Sequence, residues 1–511
     1  MRRLGLLTGC MVILSACASD ESPVRAAAAD MPTQGGSCAD LANLALPNVT
    51  ITRTEEAGGG KAQTPPLKPV NMAAAPAFCR VQAALKPSAD SDIRIEVWLP
   101  AKGWNGKFLG TGNGGAAGAI SYPPLADGVT RGYAVAATDT GHDGGPADYS
   151  FAVGHPEKLT DNAWRAVHEM TVTGKALVKA YYSAGPRLSY WNACSTGGRQ
   201  GLKEAQRFPA DYDGIIAGAP ARAWPELPAL SVMIAQLMND KVNGLPTAKL
   251  FMLKEAAIKA CDAADGVTDR VVNDQNACRF DPATIQCKAG DAADCLTAPQ
   301  AAAARKLYDG LRNPAGNSLI FHGTNPGSEP AWASLGGAFN IGGGYFRDVV
   351  HGGDKNWFVD NFDPATDMPL ARKVDPQMDA SSPDIAAFTR RGGKLILYHG
   401  TTDGLIPTQS TIDYYASLLA KNRKATEASA RFFLMPGMDH CRGGEGAGNA
   451  DYLGALEQWV EHGQAPQTIT ASKPLTGGAQ RTRPLCAYPK VAKYSGSGST
   501  DDAANFSCVA P

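Results

Sequence analysis

The sequence has no excess of basic charge: 48 Lys and Arg stand against 49 Asp and Glu in 511 residues, a formal net charge of -1. Such a balance cannot displace counterions from a phosphate backbone, which excludes nucleic acid as an expected partner. No block of like charge is present to act as an interaction tail. No apolar run reaches the roughly 20 residues that span a bilayer, and mean hydropathy is -0.20; no integral membrane domain is expected. No Cys-x-x-Cys pair with zinc spacing occurs, so a metal–thiolate centre is not expected. No Walker lysine follows the Gly-rich stretches. No internal repeat is visible.

What is present fits a globular protein. Hydrophobic residues make up 44%, enough for a sizeable core. The 56 Gly and 35 Pro exceed average usage but fall short of low complexity, so the fold should be loop-rich. The length allows one large domain with an insertion, or two to three domains. Residues 1–17 read as an export signal: Met1, Arg2 and Arg3 are followed by a short apolar run over 4–13 and by Leu14-Ser15-Ala16-Cys17. The last four resemble a bacterial lipobox, which would make Cys17 a lipidated first residue; ordinary secretory cleavage nearby is the alternative. Residues 18–36 are small and polar, as a tether should be. Either way the chain leaves the cytoplasm, and any membrane contact is through that anchor.

Twelve cysteines agree with export. Setting Cys10 and Cys17 aside leaves ten: Cys38, Cys79, Cys194, Cys261, Cys278, Cys287, Cys295, Cys441, Cys486 and Cys508. An even number in an exported chain favours disulfides. Short loops suggest Cys261–Cys278, Cys287–Cys295 and Cys486–Cys508, although spacing does not settle connectivity.

From about 92 to 220 strand and helix patterns alternate. Strands are expected at 93–99, 107–110, 133–137, 188–192 and 215–217, with helices over 162–182 and 198–207. The texture returns with strands at 394–398 and 431–435 and helices over 410–420 and 450–462. This predicts a parallel sheet covered on both faces. Between 221 and 383 the pattern breaks into Gly-rich runs, an acidic loop and clustered aromatics (Phe339, Tyr345, Phe346, Trp357, Phe358, Phe362). That stretch reads as a lid inserted into a core of 37–220 and 384–511, its aromatics forming a small core of their own more than a substrate wall.

Three short motifs carry chemistry. Asn192-Ala193-Cys194-Ser195-Thr196-Gly197-Gly198 sits at a strand-to-helix junction and is close to the Gly-x-Ser-x-Gly nucleophile elbow, with Ala193 for the first Gly. Alone it could be a Ser capping a helix. Asp439-His440-Cys441 follows the strand at 431–435, where a catalytic base belongs. The other seven histidines, His168 on a helix face and His322 in the insertion among them, read as structural. Asp403 lies in the turn after the strand at 394–398, where an orienting carboxylate belongs; a turn-forming Asp-Gly is the plainer alternative. The order Ser195, Asp403, His440 is that of α/β-hydrolases. Thr196 should give one backbone N–H to an oxyanion, and the loop 110–115, through Gly114 or Gly115, the other. Cys194 precedes the nucleophile and Cys441 follows the base. A bridge between them would hold Ser195 against His440. In the loop 261–271, Asp262, Asp265 and Asp269 with the carbonyls of Val267 and Val271 could form an oxygen shell for Ca2+; a solvated acidic turn is the alternative.

Cys194-Ser195, Asp403 and His440-Cys441 together resemble the CS-D-HC signature of the tannase and feruloyl esterase family, which includes terephthalate monoester hydrolases. The resemblance runs from about Cys38 to Cys508. It implies an α/β-hydrolase core with a large inserted, disulfide-rich lid domain after the strand at 215–217. It implies Ca2+ held in the lid by Asp262, Asp265, Asp269, Val267 and Val271. It also implies the pairs Cys38–Cys79, Cys194–Cys441, Cys261–Cys278, Cys287–Cys295 and Cys486–Cys508. The implied activity is serine carboxylic ester hydrolysis of small feruloyl, galloyl or terephthaloyl esters; a monomer is expected. Terephthalate monoesters would call for a lid Arg on the free carboxylate, and neither Arg347 nor Arg372 is assigned to that place. A peptidase or acyltransferase with the same triad, or a non-catalytic surface lipoprotein binding aromatic ligands, are the alternatives.

Overall fold

The computed structural model describes residues 36–61, 74–242, 244–273, 275 and 278–510, together with Met1. Met1 apart, the expected export signal with Cys17, and all but the last residue of the tether, lie outside them. A nine-stranded mixed sheet organises the fold. Its strands are β1 (Val49–Ala57), β2 (Phe78–Leu85), β3 (Ile93–Pro100), β4 (Lys107–Thr111), β5 (Ala134–Thr138), β6 (Leu188–Cys194), β7 (Gly214–Gly218), β8 (Lys394–Gly400) and β9 (Ala430–Met435). The order is β1-β2-β3-β5-β4-β6-β7-β8-β9. The first three strands and β5 pair antiparallel, and everything from β5 to β9 runs parallel.

The parallel strands are continuous apolar runs because both faces are covered. Every residue of β5 and of β7 is buried. One face carries Trp98, Leu109, Val135, Tyr190, Ile216, Ile396 and Phe433; against it pack α1 (Tyr122–Thr130), through Leu125 and Val129, and a C-terminal helix, Tyr452–His462, through Leu453, Leu456 and Trp459. The opposite face meets α2 (Ala166–Tyr182) and α3 (Thr196–Arg207). Both approach through glycine: a Cβ on Gly174 would lie 2.8 Å from Phe108, and one on Gly201 2.6 Å from Trp191. The expected helix at 162–182 is regular only from Ala166, after a π-turn at Asp161–Arg165 where Asn162 donates to the Ala116 carbonyl. The helix expected over 410–420 runs over Thr408–Ser429, with a kink at Asn422.

Residues 221–383 leave the sheet after β7 and return at β8. They build a second apolar core around Trp224, Leu230, Leu253, Leu307, Trp332 and Tyr345. Phe346, Trp357 and Phe362 belong to that core, Phe339 packs at its margin, and Phe358 is 64% exposed. Five disulfides pair all ten cysteines of the described residues: Cys38–Cys79, Cys194–Cys441, Cys261–Cys278, Cys287–Cys295 and Cys486–Cys508. That pairing is the one the family resemblance implied. Five bridges point to folding in an oxidising, extracytoplasmic compartment. Among the described residues no helix is long and apolar enough to cross a membrane.

Candidate active site

Ser195 stands at the turn between β6 and α3 with φ 66° and ψ -125°. A non-glycine residue in that region carries strain of about 1–3 kcal/mol and persists only where its surroundings impose it. Here they do. The Ser195 N–H donates to the Gly218 carbonyl of the adjacent strand at 2.9 Å. A Cβ on Gly197 would lie 2.4 Å from that of Ala193, and one on Gly198 2.4 Å from the Gly218 oxygen. The small residues at these places are therefore what lets the turn close, and Ala193 fills the space its motif usually leaves to Gly.

The structure brings the three separated motifs together. His440 Nε2 lies 2.9 Å from Ser195 Oγ, and His440 Nδ1 lies 2.7 Å from Asp403 Oδ2. Asp403 is buried in the turn after β8, where its Oδ1 accepts from the N–H groups of Leu405 and Ile406, each at 2.9 Å. Burial pushes this carboxyl upward, but the His440 charge and hydrogen bonds from His399 and His440 outweigh it, so Asp403 is held well below the usual carboxylate range. Burial disfavours the His440 imidazolium, but the Asp403 charge and hydrogen bond prevail and raise its pKa above the ordinary 6.5. The Cys194–Cys441 bridge joins the immediate neighbours of Ser195 and His440 across 247 residues of sequence.

One partner was not foreseen. His399, read from the sequence as structural, is fully buried, with Nε2 at 3.1 Å from Asp403 Oδ2 and 3.0 Å from the Ile406 carbonyl. Both are acceptors, so Nε2 carries the hydrogen, and Nδ1 accepts from the Thr411 hydroxyl at 2.8 Å. Asp403 thus meets two imidazoles. The signal in the sequence was position alone: His399 is four residues before Asp403, at the end of the same buried strand.

The loop 110–115 is fastened to the elbow. Gly197 N–H donates to the Asn113 carbonyl, Gln200 Nε2 donates to Asn113 Oδ1, and the Thr196 hydroxyl donates to the Gly115 carbonyl at 2.6 Å. Gly115 has φ 61° and no room for a Cβ, which would sit 2.2 Å from the Pro146 oxygen. It lines the cavity over Ser195 with Thr196 and His440, whereas a Cβ on Gly114 would meet nothing. As the first residue of α3, Thr196 has a backbone N–H without an intrahelical acceptor.

The rest of that cavity is mostly apolar. Leu227, Pro228 and Ser231 line it from the helix Glu226–Asn239, Leu335, Phe339 and Ile341 from further along the insertion, and Leu405 and Ile406 from the turn of Asp403. None of these side chains is charged. Arg347 pairs with Asp348 at 2.7 Å and Arg372 with Glu226 at 2.6 Å, and neither lines this cavity.

The acidic loop lines a cavity other than that of Ser195. Asp265, Val267, Asp269 and Val271 line one cavity, and Asp262 Oδ1 accepts the Asp269 N–H at 3.2 Å. Burial, with the like charges of Asp269 and Asp262, pushes the Asp265 carboxyl up to about 6. Asp269 is met by the Arg483 guanidinium. The donors are all oxygen, the kind a hard cation takes, but the three carboxylates do not all come within 4.8 Å of one another, and Arg481 also approaches Asp269.

A family model described as tannase and feruloyl esterase matches residues 79–342 and 353–509. An uncharacterised esterase of Xanthomonas campestris pv. campestris is 38% identical, over 92% of this chain and 91% of the relative. The mono(2-hydroxyethyl) terephthalate hydrolase of Piscinibacter sakaiensis is 35% identical over 86% of each chain. Among solved structures, feruloyl esterase B from Aspergillus oryzae superposes with a TM-score of 0.85 at 30% identity, over 92% of this chain and 99% of the other.

Proposed function

The chain belongs to the tannase and feruloyl esterase family and is a carboxylic ester hydrolase with an α/β-hydrolase fold, and from that premise we propose that it cleaves small esters of uncharged aromatic acids through an acyl-enzyme on Ser195. The observation that carries the catalytic half is the unbroken line Ser195 Oγ, His440, Asp403 at 2.9 and 2.7 Å. The membership sets aside the alternatives of a peptidase, an acyltransferase and a non-catalytic binding protein.

In this reading His440 Nε2 takes the Ser195 proton as Oγ attacks the ester carbonyl. The N–H groups of Thr196 and Gly115 receive the developing oxyanion, and Asp403 fixes the imidazole and stabilises its charged form. His440 then hands the proton to the departing alcohol, leaving Ser195 acylated. Water, deprotonated by the same imidazole, releases the acid and restores the hydroxyl. His440 must be neutral to start, so its raised pKa moves the acid limb of activity to higher pH than an unperturbed histidine would set.

The acyl half rests on the walls of the cavity. Leu227, Leu335, Phe339 and Ile341 offer an aromatic ring apolar contact, and no Arg or Lys lines the cavity to hold a second carboxylate. A free carboxylate buried there without a partner would cost several kcal/mol. We therefore expect kcat/KM for methyl hydroxycinnamates to exceed that for terephthalate monoesters by about tenfold or more. A panel of gallate, ferulate and terephthalate monoesters checks this, and a preference for the terephthalate would refute it.

Ca2+ is the cation we assign to the acidic loop, held by the carboxylates of Asp262, Asp265 and Asp269 and the carbonyls of Val267 and Val271. When bound it would supply positive charge to three neighbouring carboxylates, a structural service in a cavity separate from that of Ser195. EDTA should accordingly lower Tm by several degrees while kcat at 25 °C changes less than twofold. Metal analysis of dialysed protein with no calcium, and a Tm indifferent to EDTA, would refute it. We also read the chain as exported, with Cys17 as its lipid anchor. The five disulfides support export.

A further inference from the structure

A second cluster lies outside the cavity of Ser195. We propose that His168, Glu204 and Asp211 form a binding site for a divalent cation of the zinc type. His168 stands on α2, Glu204 near the end of α3, and Asp211 in the loop that leads to β7. One ligand atom from each lies within 4.8 Å of the others.

The strongest sign of a missing partner is Glu204. The residue is 1% exposed, and beyond Asp211 no group offers its carboxylate a hydrogen bond. A buried carboxylate so placed costs several kcal/mol unless a proton or a cation neutralises it. Its neighbour Asp211 is also a carboxylate, so the pair repel, and the Lys175 ammonium, directed to the Asp211 main-chain carbonyl, offsets this only in part. Burial, and then the Asp211 charge, hold the Glu204 carboxyl well above the usual range. On binding, the cation would take the place of any proton there, which leaves to water.

The donor set selects the ion. One imidazole nitrogen with two carboxylate oxygens suits Zn2+, which commonly takes three protein ligands and a water. Ca2+ prefers an all-oxygen shell and more ligands. His168 Nδ1 shares a hydrogen bond with Asp211 Oδ2 at 2.7 Å, which an ion would have to part or replace, and the ring is braced by stacking on Phe208 at 3.8 Å. The Lys175 ammonium is directed to the main-chain carbonyl of Asp211. The His168 side chain is 27% exposed, which gives the ion an entry path and a place for a water ligand. The site would clamp α2 to α3, the helix that begins at the Ser195 elbow.

The test uses full-length mature protein, stripped of metal and returned to excess Ca2+ so that the acidic loop is saturated. Zn2+ is titrated by calorimetry and Co2+ by visible absorption. One equivalent should bind with a rise in Tm, and Co2+ should give the bands of a nitrogen-containing site. Glu204→Gln and His168→Ala should each weaken Zn2+ binding by about tenfold or more, since even changes behind a ligand do as much. Ester hydrolysis should persist in both. His168→Ala, at a partly exposed position, keeps the test decisive if Glu204→Gln does not fold. No stoichiometric Zn2+ binding, or equal affinity in wild type and His168→Ala, would overturn the proposal and leave a proton shared between Glu204 and Asp211.

Discussion

Ser195→Ala is expected to lower kcat on p-nitrophenyl and methyl hydroxycinnamate esters by about 10^4-fold or more, the scale on which nucleophile deletions act in serine hydrolases. The residue left behind cannot form an acyl intermediate, and what catalysis persists comes from the oxyanion donors and the cavity. Folding should survive. The Ser195 side chain makes one contact that matters, the hydrogen bond to His440 Nε2 at 2.9 Å, and a partly exposed hydroxyl removed from a turn leaves no cavity in the core. The strained backbone at φ 66° stays, since Ala lacks nothing that Ser uses to hold it. Circular dichroism and Tm should match wild type. Unchanged ester hydrolysis would remove Ser195 as the nucleophile.

Replacing Cys194 and Cys441 together by Ala should damage stability and catalysis at once. The bridge closes 247 residues of sequence, and loop entropy puts its worth at about 5 kcal/mol relative to the open unfolded chain. It also sets the separation of the two loops that carry Ser195 and His440. A displacement of about 1 Å there costs on the order of 10^2-fold in rate. The pair Cys486 and Cys508 is the control. That bridge closes a separation of 22 residues at the far end of the chain. Its removal should lower Tm with kcat nearly unchanged, whereas loss of the Cys194–Cys441 bridge should lower both. A kcat indifferent to the latter would mean that hydrogen bonds alone position the pair.

Much of this was legible in the sequence because the signals were local. The apolar runs at 133–137, 215–217 and 394–398 read as buried strands since both faces of a parallel sheet demand apolar side chains. The elbow showed because close packing around Ala193, Gly197 and Gly198 forces small residues at fixed offsets. The first two strands were missed. β1 is a sheet edge with Thr, Glu and Arg at half-exposed places, so it lacks the apolar signature of the strands it leads into. His399 was missed for another reason. A histidine two residues from a predicted turn carries no mark of which carboxylate it will meet, and only the fold places its Nε2 on Asp403. Glu204 carries no local signal of its burial, which tertiary packing alone imposes.

The most direct test of the central claim is rapid-quench mass spectrometry during turnover of a p-nitrophenyl hydroxycinnamate, whose good leaving group makes deacylation the slow step. The account predicts a burst of about one p-nitrophenol per chain and an acyl adduct on the peptide that contains Ser195, absent from Ser195→Ala. Steady hydrolysis with no burst and no adduct, or an adduct on another residue, would contradict it.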